Sequence, residues 1–113
     1  MKYLLVCLAL AASSAHAYFK DGNKLLSELN SNSGSNVLPA TGLGYITGVA
    51  DALYGITNCP PENVTAGQIR DMVRNYLENT PAIRHLPAQQ IVSHVLKSVW
   101  PCAASPSSGG RPL

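Results

Sequence analysis

The sequence predicts an all-α fold, a small domain resembling a four-helix bundle and closed by one disulfide. Three observations lead there. The stretches Ile69–Leu77 and Ala88–Val99 repeat apolar residues at the spacing of one helix face. Capping residues and prolines fall at the ends of such stretches. No stretch reads convincingly as a strand.

The first 17 residues stand apart from this domain. Lys2 gives a positive start, Tyr3 to Ala12 form an apolar core, and Ala15-His16-Ala17 is a small-x-small cleavage site. That is the pattern of a secretory signal peptide. Cys7 lies inside the apolar core behind bulky Leu5 and Val6, which argues against lipidation. Cleavage after Ala17 leaves a mature chain starting at Tyr18. The domain then spans residues 18–102. Residues 103–113, rich in Ser, Gly and Pro, form a tail expected to be disordered.

Asp21 is expected to cap a first helix carrying Leu25, Leu26 and Leu29. Ser31 to Asn36 make a polar loop, and Pro39 is expected to delay the next helix. The second helix is expected from Thr41, as N-cap, to Ile56. Its apolar run, Leu43 to Ile56, is broken by Asp51 and is too short for a membrane span, which needs roughly 20 residues. Gly44, Gly48 and Ala52 recur every four residues and so share a face. A glycine inside a helix costs about 0.8–1 kcal/mol against alanine. A closely packed neighbour is therefore expected on that face. Leu43, Ile46, Val49, Ala50 and Leu53 would bury the other sides, making this the central helix.

Pro60 and Pro61 stiffen the loop Asn58 to Asn63. Thr65 and Gln68 have the spacing of a capping box at the start of the third helix. Ile69, Met72, Val73, Tyr76 and Leu77 would face inward, with Arg70, Asp71, Arg74 and Glu78 on the wet side. Pro81 ends this helix. After the link Asn79 to Leu86, Pro87 suits the first position of the fourth helix. Ala88, Ile91, Val92, Val95, Leu96 and Val99 make its apolar face, and Pro101 stops it.

The mature chain keeps two cysteines, Cys59 and Cys102. An even count in an exported chain points to a disulfide, with two free thiols as the alternative. The bridge would tie the ends of the second and fourth helices. Closing a loop of about 44 residues is worth about 4 kcal/mol on the chain-entropy model.

Eight basic and six acidic residues give a net charge of +2, which falls by one when Lys2 leaves with the signal. That balance excludes the electrostatic footprint of a nucleic-acid binder and gives no pull to a membrane after cleavage. Catalytic parts are few. His85 and His94 match no zinc spacing, and no nucleophile elbow or phosphate loop occurs. Asp51 has no second carboxylate close in sequence, so it reads as structural, paired with an arginine or a backbone donor. The residues point to a binding protein without cofactor or metal rather than an enzyme. Asn63-Val64-Thr65 has the form of a glycosylation sequon, with Thr65 already engaged as a cap.

The stretch Leu43-Gly44-Tyr45-Ile46-Thr47-Gly48-Val49-Ala50-Asp51-Ala52-Leu53 resembles the GYxxGxxDA helix of the Rap/Tai family. These immunity proteins protect bacteria from type VI secretion amidase effectors. The likeness continues through Cys59-Pro60, Val64 to Gln68, Tyr76-Leu77 with Pro81, Leu86-Pro87-Ala88 and Trp100-Pro101-Cys102, covering Gly22 to Cys102 in order. It implies a periplasmic, all-helical domain that often dimerises and blocks the active-site cleft of a peptidoglycan amidase. Many members carry a further cysteine near the end of the first helix, where this chain has Leu29 and Asn30. The loop from Asn79 through Arg84 to His85 joins two stiff helices and is the expected partner-binding segment. The alternative is a general cell-envelope binding or assembly module without a cognate amidase, forming homodimers through the glycine face. A small cell-wall hydrolase would have to rely on Asp51.

Overall fold

The computed structural model describes residues 18–103. The expected signal peptide and the tail beyond residue 103 lie outside the described residues. Four α-helices form the domain, and the described residues hold no strand beyond isolated bridges.

Helix α1 spans Gly22–Leu29. Its cap is the expected one, the Asp21 carboxylate accepting the Lys24 N–H at 2.8 Å. Helix α2 spans Val37–Leu53 and departs from expectation at both ends. It begins before Thr41, with Pro39 inside its first turn. The first amides of a helix have no intrahelical acceptor, so proline loses no hydrogen bond there. Thr41 does not cap; its hydroxyl donates back to the Val37 carbonyl at 2.7 Å. The helix stops at Leu53, short of Ile56, because the backbone leaves helical geometry at Tyr54 (φ −58°, ψ 129°) and, with Gly55 at a left-handed φ of 79°, makes a tight turn closed by Ile56 N–H on the Leu53 carbonyl at 3.0 Å.

Helix α3 spans Ala66–Asn79. Both bonds of the capping box form, Gln68 N–H to Thr65 Oγ1 at 3.2 Å and Thr65 N–H to Gln68 Oε1 at 2.8 Å. A 3-10 turn, Pro81–Ile83, leads on to α4, Ala88–Val99, with Pro87 at its N-cap rather than its first helical position.

The core is built from all four helices: Leu25 and Leu29, Ile46 and Ala50, Ile69, Val73 and Leu77, and Ala88, Ile91, Val92, Val95 and Leu96. Val99, expected inside, is exposed, and Met72 and Tyr76 are half-buried. Helix α2 packs against each of the other three, as each of them does in turn, but it buries only Gly42, Ile46 and Ala50; Leu43, Val49 and Leu53, expected to bury its other sides, are half-buried. Cys59 and Cys102 are bridged, their Cα atoms 4.9 Å apart, and Cys59 N–H donates to the Trp100 carbonyl at 2.8 Å. The ends of α2 and α4 are thereby joined twice.

The close-packed face of α2 is not the expected one. Gly42, Ile46 and Ala50 are buried, and a Cβ on Gly42 would stand 2.9 Å from Leu29 Cδ2. Gly44, Gly48 and Ala52 lie two residues on, a rotation of about 200°, and face outward. A Cβ on Gly44 or Gly48 would meet nothing within 4 Å. Each of Gly44→Ala and Gly48→Ala is therefore expected to stabilise the isolated chain by about 0.5–1 kcal/mol through helix propensity. Urea denaturation of the two variants measures this; destabilisation would mean that something packs on the face.

Candidate functional site

The segment between α3 and α4 is held rigidly by contacts distant in sequence. Arg84 is half-buried, and its guanidinium closes the end of α3. Nε donates to the Leu77 carbonyl at 2.7 Å and an Nη to the Glu78 carbonyl at 2.9 Å. A cation at a helix C-terminus also suits the helix dipole. The residues that lead into α1 bind the same segment from the other side. Gly22 N–H donates to Leu86 O at 3.0 Å, Asn23 N–H to Arg84 O at 2.9 Å, and Ala88 N–H to Lys20 O at 3.0 Å. Gly22 is needed for this approach, since a Cβ there would lie 2.8 Å from the Arg84 carbonyl oxygen.

Of the three residues expected to meet a partner, His85 is exposed and offered by this fixed turn. Asn79 is exposed too, but its amide donates to the Asn75 carbonyl at 2.8 Å. Arg84 is engaged inside the protein. Arg84→Ala should cost about 1–2 kcal/mol by stripping two carbonyls of a charged donor. Hydrogen exchange of the amides around His85 should accelerate. Arg84→Lys should restore only part of both, because an ammonium lacks the planar fork.

A shallow apolar groove adjoins the turn along α3 and α4. Tyr76 and His94 bridge it with ring centroids 5.6 Å apart. On the loop side Ile83, Leu86 and Ile91 line a space of about 320 Å³. On the other side Met72, Val95 and exposed Val99 line about 340 Å³. Sequence reasoning missed the groove, because Tyr76 reads there as one more inward-facing residue of the third helix. The polar tip of Tyr76 at the rim of an apolar face was the available sign.

Asp51 is exposed and has no ion pair or side-chain hydrogen bond, so the pairing expected for it is absent. Asp51 and Glu62, eleven residues on, both line a pocket between the end of α2 and the start of α3. Among the described residues no group of three or more His, Cys, Asp and Glu is placed to hold a metal ion. No helix there is long and apolar enough to cross a membrane.

The model of the Rap1a immunity protein family matches residues 21–102. The chain belongs to that family. The match runs from the α1 cap Asp21 to the bridged Cys102, and so takes in the whole helical domain with its disulfide and the turn bearing His85. No curated protein matches the chain. As a Rap1a-family member the chain is an immunity protein, and its partner is a cognate secreted effector.

Proposed function

We propose that this chain is exported to the periplasm, loses residues 1–17, and there binds and occludes a type VI secretion peptidoglycan amidase. The amidase reading is supported by the resemblance of the Gly44–Ala52 helix and of the ordered motifs after it. The export reading is supported by the charged, apolar and small-residue pattern of the first 17 residues. The observation that carries an occluding role is the turn Asn79–His85, fixed on two sides and flanked by an apolar groove. A rigid projection enters a cleft with little loss of conformational entropy. The chain acts by covering the cleft and needs no catalytic group or cofactor of its own.

The test uses the mature chain and the amidase encoded by the neighbouring gene. Binding is followed by calorimetry and inhibition by release of peptidoglycan fragments. Stoichiometric binding with loss of amidase activity is expected. His85→Ala combined with Tyr76→Ala should weaken binding at least tenfold while the thermal transition persists. No binding by the wild-type chain would remove the amidase reading.

The open glycine face favours a second reading, an envelope binding module that pairs with itself. Two interior glycines carry a helix-propensity cost with no packing return inside the chain. Sedimentation equilibrium of Gly44→Leu decides it: a wild-type dimer that the variant splits supports self-pairing, and a wild-type monomer removes it.

A further inference from the structure

The mature chain has six carboxylates, and four of them are engaged. Asp21 caps α1, Glu28 pairs with Lys20, Asp71 pairs with Arg70 and Arg74, and Glu78 accepts from Asn30. Asp51 and Glu62 have no such partner, and both line a pocket of about 330 Å³ where the end of α2 meets the start of α3. Asn58 is fully buried against the same pocket, and neither its Oδ1 nor its Nδ2 has a hydrogen-bond partner. Exposed Tyr54 stands at the pocket, and Pro60 and Pro61 stiffen its wall.

We propose that this pocket is a socket for an arginine side chain of the bound effector. The proposal rests on the immunity reading for the identity of the partner. Each feature suits a guanidinium. Two free carboxylates can each accept from one edge of the planar fork, and an aromatic ring can stack on its face. No hydrogen bond restrains the buried Asn58 side chain, and a turn outward would bring its Oδ1 to the guanidinium. Asp51 sits in the last turn of α2, where the helix dipole opposes a negative charge and a cation relieves it. A calcium ion would seek six to eight oxygens and give the ring no part. The socket and the His85 turn lie at opposite ends of α3, about 21 Å apart for 14 residues. An interface of about 800 Å² per partner reaches both.

Titration of the ¹⁵N-labelled mature chain with N-acetylargininamide tests the socket without any effector. Saturable shifts of the Asn58 side-chain amide are expected, weakened at least tenfold in Asp51→Asn/Glu62→Gln. The lysine analogue should bind several-fold more weakly. Both substituted residues are exposed and unpaired, so an unchanged circular dichroism spectrum and an intact disulfide are expected in the double variant. Equal shifts in the double variant, no shift at Asn58, or saturation by calcium alone would each overturn the proposal. In a second arm, effector binding should fall at least tenfold in the double variant. An effector that binds wild type and double variant alike sinks the socket, whereas failure to bind wild type bears on the amidase reading instead.

Discussion

Replacing Cys59 and Cys102 together by alanine is expected to lower the unfolding free energy by about 4 kcal/mol. In a domain of this size that amounts to a fall of roughly 15–30 °C in Tm, at about 4–8 °C per kcal/mol. The cause lies mainly in the unfolded chain, which gains the freedom of a loop whose ends are 43 residues apart. The folded state suffers as well. The bridge joins the segments after α2 and α4, and the Cys59–Trp100 backbone bond and the buried Asn58 beside Pro101 depend on that junction. Small domains have only about 5–15 kcal/mol in total, so the variant should sit near its transition at 37 °C. Thermal circular dichroism of the variant, and of wild type with dithiothreitol, should agree. A Tm drop below roughly 5 °C would mean that helix packing alone holds this end.

What was legible in the sequence was local. The Asp21 cap, the Thr65–Gln68 box and the apolar faces of α3 and α4 follow from residues within a few positions of one another, and the structure has them. Apolar content also marked α2 as a helix, yet the spacing of its glycines misplaced the packed face. A spacing of four fixes a stripe but not which stripe meets a neighbour, and Gly42-Ile46-Ala50 has the same spacing as Gly44-Gly48-Ala52. Leu29 settles the matter by its contact with Gly42, and it lies on another helix. Pro39, expected to delay α2, sits in its first turn, which accepts proline. The candidate site was visible as a loop but not as a rigid one. Its stiffness comes from residues 20–23, some sixty positions away, and from Arg84 turning back onto α3. Tyr76 and His94 meet only because α3 and α4 lie side by side.

Lys20→Ala is expected to cost about 1.5–3 kcal/mol, because it strips buried Glu28 of a charge-assisted hydrogen bond from a part-buried lysine. Lys20 Nζ pairs with Glu28 Oε1, and their side chains are only 12% and 6% exposed, which places the pair well outside the weak surface class. Glu28 lies in the last turn of α1, where the helix dipole already opposes a negative charge, so an uncompensated carboxylate there is doubly unfavourable. Lys20 also lies over the ring of Tyr45 on α2, 4.7 Å from its centroid. Burial pushes the Tyr45 hydroxyl above its ordinary value of 10.0, and a smaller opposing effect comes from a backbone hydrogen bond at Gln89. The folded chain holds this proton more tightly, so the associated stability is complete below pH 10 and is lost as the pH rises through the raised value. The pair bears on function because the Lys20 carbonyl accepts from Ala88 beside the His85 turn. Lys20→Ala should therefore loosen that turn as well as destabilise the domain. Lys20→Met with Glu28→Leu removes both charges at similar volume and should recover most of the stability. Urea denaturation of the three proteins decides the matter. A cost below about 1 kcal/mol for Lys20→Ala would show the pair to be as weak as one on the surface.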